Sequence, residues 1–236
     1  MKDLRYLKSK KKFLEFSYLA LRDQFPSMED FVSFFNSIES DEKKNQFLET
    51  ASFYLFLVKQ GNWLVDIPGS DSKVTYLTET YKYIGLFSLI ESLHKNNFID
   101  FYSYLKRGKS KVEFPIKNKA ELESYYRKYK EEYGAIQQSV SFFKTLNMEK
   151  QNSLIKKIQI KGTEPTIENF SKYLYELRSK FVHEAKLILN MSPATTIGKK
   201  GNKIVTCKMS INDLMSFFEE GFVLHFEEKS CYPIEI

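Results

Sequence analysis

Thr166-Ile-Glu-Asn-Phe-Ser-Lys-Tyr-Leu-Tyr-Glu-Leu-Arg-Ser-Lys-Phe-Val-His183 is the stretch on which the fold turns. Its apolar residues Ile167, Phe170, Leu174, Leu177 and Phe181 return at intervals of three and four, and Ile188 continues them. A helix turns about 100° per residue, so this spacing lays them along one buried stripe. Thr166 is a fair N-cap after Pro165, and Glu168 places a negative charge near the positive end of the helix dipole. The pattern predicts one long helix from Thr166 to about Asn190.

Working outward toward the C-terminus, residues 195–208 hold Gly198, Gly201-Asn202 and the alternating Ile204-Val205-Thr206-Cys207, which reads as a small β-hairpin. Ser210 then caps a last helix, Ile211 to about Phe226, with Asp213 in its first turn. Toward the N-terminus, helices are expected at about 119–132, 134–146 and 148–158, separated by Gly134 and Asn147. Lys106 to Lys117 is a basic loop. Lys73 to Lys95 is a strongly apolar helix that presents Leu77, Tyr81, Ile84, Ile90 and Leu93, and such a helix is usually interior. Its small residues Gly85 and Ser88 would let another helix come close. Gly61 to Ser72 reads as a loop carrying Trp63, the single tryptophan. Three further helices are expected before it, at residues 3–24, after Ser27, and from about Ser40 to Gln60.

The predicted fold is therefore all-α, with a small β-hairpin before the last helix. Residues 1–66 read as an N-terminal helical extension and 73–228 as the main helical domain. A hydrophobic fraction of 42% against 28% charged residues excludes a disordered chain. The longest apolar runs, Tyr54–Val58 and Ile84–Leu86, fall far short of the roughly 20 residues that cross a bilayer, so no membrane span is expected. The opening MKDLRYLKSKKK lacks the apolar stretch of a secretory signal. Cys207 and Cys231 have no metal-like spacing and make no disulfide framework, which points to a reducing cytoplasm with no metal or cofactor. A net charge of +6 permits contact with nucleic acid. Five arginines stand against 31 lysines, so lysine is this chain's ordinary cation and an arginine marks a departure from it.

One arginine stands out. Arg178 is followed by the small polar Ser179 and, after four intervening residues, by His183 on the same predicted helix. The segment Tyr173-Leu-Tyr-Glu-Leu-Arg-Ser-Lys-Phe-Val-His-Glu-Ala resembles the HEPN superfamily, whose signature is an Arg, often followed by a small polar residue, then four to six residues and a His on one helix. Its wording is most similar to the Apea-like or abortive-infection branch. The resemblance covers about residues 73–228 in architecture, while the specific motif lies on this helix alone. It implies a HEPN-like helical bundle, a homodimer, and a metal-independent endoribonuclease of the toxin or defence type with RNA as substrate. An antitoxin or other regulatory partner would restrain it. The alternative it allows is a non-catalytic scaffold that binds RNA, nucleotide or a protein partner. A DNA-binding regulator is a third reading, for which no recognition helix stands out.

The residue types fit cleavage of RNA through its own 2′-hydroxyl. A histidine side chain, which ordinarily titrates near roughly 6.5, can take the 2′-OH proton, and a second, protonated one can give a proton to the leaving 5′ oxygen. The forked, permanently charged guanidinium of Arg178 suits the charge that develops on the phosphoryl oxygens. Arg178 and His183 are about 140° apart on an ideal helix, awkward for one copy and natural for two copies about a two-fold axis. Lys172, Tyr175, Ser179, His183 and Lys186 form one stripe. Ser179 is expected to orient His183, one turn away, and Tyr175 to bind phosphate or stack on a base. Glu91, a charge set in an apolar helix, would pair with Arg178 or orient His183. Lys172 and Lys186, with Arg107 and Lys109 from the basic loop, are candidate RNA contacts. His94, His225 and the two cysteines are expected to be structural.

Overall fold

The structure, a computed structural model, describes residues 4–64, 67–94, 99–106, 116, 118–184 and 191–227. It is mainly helical. Helices α1 (Arg5–Lys8), α2 (Lys10–Leu21), α3 (Met28–Ser37) and α4 (Asp41–Phe53) open the chain, and α4 runs on through a π-helical turn, Tyr54–Lys59. Helix α5 (Asp71–Ser92) is the longest described. It is followed by α6 (Phe101–Lys106), α7 (Lys119–Tyr133), α8 (Ala135–Lys144) and α9 (Met148–Lys156), then strand β1 (Ile158–Ile160) and helix α10 (Ile167–Glu184). Strands β2 (Thr196–Lys200) and β3 (Lys203–Cys207) precede α11 (Ile211–Phe226).

Local chemistry sets most of these boundaries. The side chains of Ser27, Ser40, Asn118 and Asn147 accept hydrogen bonds from the first turns of α3, α4, α7 and α9. Ser210 and Asp213 close a reciprocal capping box on α11. The expected hairpin is present, and Gly201 takes the left-handed φ of 57° in its turn. The structure adds a strand to it: β1 pairs antiparallel with β3, Ile158 opposite Cys207, giving the sheet order β1-β3-β2. The helix expected to reach 158 therefore ends at Lys156, where the chain turns extended. Helix α6 is also additional. The single helix expected over 3–24 is broken at Ser9, and a 3-10 turn, Arg22–Gln24, follows α2.

The core is aromatic and continuous from Leu14 to Phe226. Phe47 of α4 sits at its centre, in ring contact with Phe31 and Phe35 of α3 and with Phe222 and Phe226 of α11. Burying rings of this size is the main favourable term in such a fold. The expected extension thus shares one core with the C-terminal helix. Asn45 ties the chain's start to it by accepting from the backbone N–H groups of Tyr6 and Leu7, at 3.0 and 3.1 Å. Gly85 gives the close approach foreseen for a small residue: a Cβ there would stand 3.1 Å from Val58 of the π-helical turn. Ser88 faces solvent instead. Only the second half of α5 is interior, through Tyr83, Leu86, Phe87, Leu89 and Ile90; Tyr81 is exposed. Among the described residues, no helix is long and apolar enough to cross a membrane.

Candidate functional site

Helix α10 carries the motif and is held on three sides. Its stripe Ile167, Phe170, Leu174 and Leu177 is buried, together with Ser171 and Tyr173, and Thr166 Oγ1 accepts from Asn169 N at 3.2 Å to cap it. From α5, the buried Tyr83 donates its hydroxyl hydrogen to the Leu174 carbonyl. From the sheet, Lys200 of β2 reaches Glu176 at 2.7 Å and lies 5.6 Å from the Tyr173 ring. The helix is therefore held independently of Arg178 and His183.

Arg178 turns inward. Its Nη2 lies 3.4 Å from Glu91 Oε2 of α5, with the two side chains 16% and 28% exposed, so the pair is partly withdrawn from water. The guanidinium also sits 5.6 Å from the Tyr175 ring and offers Nη1 to the Tyr175 hydroxyl at 3.5 Å. Burial first, then the negative charge of the Glu91 carboxylate, push the Tyr175 phenol up to about 12 against the opposing pull of Arg178. Tyr175 packs on Phe87, at 6.3 Å between rings. It is therefore half-buried, a member of the Arg178 cluster and not an open stacking platform. Two atoms of this cluster, Glu91 Oε1 and Arg178 Nε, are buried with no hydrogen-bond partner among the described residues.

His183 faces outward in the last described turn of α10, beside the exposed Lys180 and Val182. A single chain does not bring it to Arg178: one side chain points into α5, the other into solvent. Ser179 is half-buried and, among the described residues, makes no hydrogen bond to His183, so the expected orienting role is not seen. Ser179 lies at the packed edge one turn before His183, whose side chain turns out to solvent. Lys172 is exposed, as a contact to RNA would need. Lys186, Arg107 and Lys109 lie outside the described residues.

Features at a distance in sequence join this helix end. Trp63 stacks on Tyr81 at 4.4 Å and 6° between planes, and Tyr81 meets Phe181 edge-on at 5.9 Å. Trp63 is the sole tryptophan, a signal in the composition, but nothing local in the sequence places it on α5. His94 and His225 also meet, at 5.8 Å between rings, and His94 Nδ1 lies 3.1 Å from the Ile90 carbonyl. Cys207 is buried in β3, and burial pushes its thiol up, away from the reactive thiolate. Among the described residues, no group of three or more His, Cys, Asp or Glu side chains is placed to hold a metal ion. No protein-family model, curated protein or solved structure matches the chain, so its chemistry stands on these residues alone.

Proposed function

We propose that the chain is a metal-independent endoribonuclease of the HEPN type, working as a homodimer whose composite site takes Arg178 and His183 from both copies. The observation that carries this reading is the pairing, on one rigidly held helix, of an outward imidazole with a guanidinium already oriented by Glu91 and Tyr175. Preorganised charge is worth most where water is scarce, and Arg178 is held at such a border. In the reaction, one His183 takes the proton of a ribose 2′-hydroxyl as its oxygen attacks the adjacent phosphorus. The bond from phosphorus to the 5′ oxygen breaks, and the second His183, protonated, supplies the proton to that oxygen. The products are a 2′,3′-cyclic phosphate and a 5′-hydroxyl. Arg178 would carry the extra negative charge on the phosphoryl oxygens. Such an enzyme fits a toxin or infection-aborting protein restrained by an antitoxin.

The test is RNA cleavage in EDTA by the full chain, wild type against His183→Ala. Cleavage that survives chelation and falls by at least about 10²-fold in the variant is expected. A well-folded wild-type dimer that leaves RNA intact would favour the scaffold reading instead. That second reading has one observation of its own: Glu91 already neutralises Arg178 within the chain.

A further inference from the structure

The exposed flank of α5 opposite its buried half borders a groove of about 470 Å³, closed on one side by residues 62–64 and on the other by the start of α11. A single nucleotide-sized ligand fills a space of this order, since small-molecule sites run from about 300 to 1,000 Å³. The lining is mixed rather than apolar. Trp63 and Leu64 supply apolar surface, Glu79 and Lys82 supply opposite charges three residues apart on α5, and Asn212 supplies an amide. The groove wall is built firmly: Trp63 N donates to Thr78 Oγ1 at 2.9 Å, and Tyr81 stacks beneath the indole. Burial raises the Glu79 carboxyl and lowers the Lys82 ammonium, each against the pull of the other, so water is already partly excluded here.

We propose that this groove takes one unpaired base of a single-stranded RNA, stacked against Trp63, with Glu79 and Asn212 reading its hydrogen-bonding edge and Lys82 meeting its phosphate. Several observations choose that occupant. An indole at a groove edge is a platform for a flat π-system, and an acid with an amide offers the donors and acceptors that a base edge needs. The chain carries a net charge of +6, suited to a polyanion. The Trp63–Tyr81–Phe181 contacts lead from the groove to a residue two positions before His183, so a strand lying along this path passes the proposed cleavage site. This specificity site rests on the ribonuclease reading for the choice of RNA strand over free nucleotide.

Trp63 is its own probe. Titrating the full chain with a short single-stranded oligoribonucleotide, 2′-O-methylated to block cleavage, should quench its emission saturably. Glu79→Gln and Lys82→Ala should each weaken binding by at least about tenfold. Absence of saturable quenching overturns the proposal, as does quenching that neither α5 variant changes. A nucleoside monophosphate that binds as tightly as the strand overturns the assignment to RNA. Emission that instead follows protein concentration alone, with self-association abolished by Trp63→Ala, assigns the surface to a second copy and also overturns it. Cleavage of unmodified RNA separates the two claims: strand binding without cleavage supports the groove and sinks the nuclease, and cleavage without quenching does the reverse.

Discussion

Two clusters in this molecule use the same three kinds of side chain and end differently. At the junction of the π-helical turn with α11, Tyr54 donates to Glu219 Oε1 at 2.5 Å and Lys59 reaches the same oxygen at 2.9 Å. Lys59 also holds the Ala20 carbonyl at 2.8 Å and Asp23 at 3.0 Å, and Gln24 approaches Glu219 Oε2 at 3.5 Å. Every group there has an answer. At α10, Tyr175, Glu91 and Arg178 repeat the phenol, carboxylate and cation, with a longer ion pair and two buried atoms left over. Buried polar groups are normally satisfied, and a native exception calls for an explanation. The closed cluster locks the N-terminal helices to the last helix; the open one keeps bonding capacity in reserve beside the motif.

Removing a carboxylate from each should expose that difference. Glu219→Ala takes the acceptor from the buried Tyr54 hydroxyl, leaves Lys59 only Asp23 and the Ala20 carbonyl, and should cost about 3 kcal/mol in denaturant unfolding. Glu91→Ala, in the more exposed pair, should cost less, about 1–3 kcal/mol, and free Arg178 to move. If the two costs came out equal, the open cluster would be structural in the same sense as the closed one. The smallest effect belongs to Tyr175→Phe, about 1 kcal/mol or less at neutral pH. Its pH signature is more telling. A phenol raised to about 12 in the fold, against roughly 10 unfolded, adds stability that is complete below about 10 and fades as pH rises toward 12. The wild type should therefore lose stability relative to Tyr175→Phe across that window. Parallel alkaline limbs would mean that the phenol is not withdrawn from water as the fold places it.

What could be read from the chain follows the range of the interaction. Helices declared by periodicity and a polar cap, such as those after Ser27, Ser40 and Ser210, are local and legible. Ile158–Ile160 is too short to show alternation, and its partner β3 begins more than forty residues later, so β1 left no local trace. The bonds of Lys59 and Tyr54 to Glu219 cross about 160 residues and are invisible for the same reason. Glu91 could be singled out only because a charge on an apolar helix must find a partner. Arg178 and His183 were legible as a spacing, and that spacing already carried the angle that separates them. Which side of α10 would meet α5 was not, because Tyr175 looks equally at home on a surface.

The π-helical turn has an outcome of its own. Its wider winding, marked by Gln60 N bonding back five residues to Leu55 O at 2.8 Å, amounts to one surplus residue accommodated without unravelling the helix. Regular winding of the same six residues, with none removed, would change the phase of everything beyond by about 100°. The lysine would then swing away from the last helix, leaving a buried carboxylate without its cation. A whole helical interface is thus keyed to the chain's winding at one point.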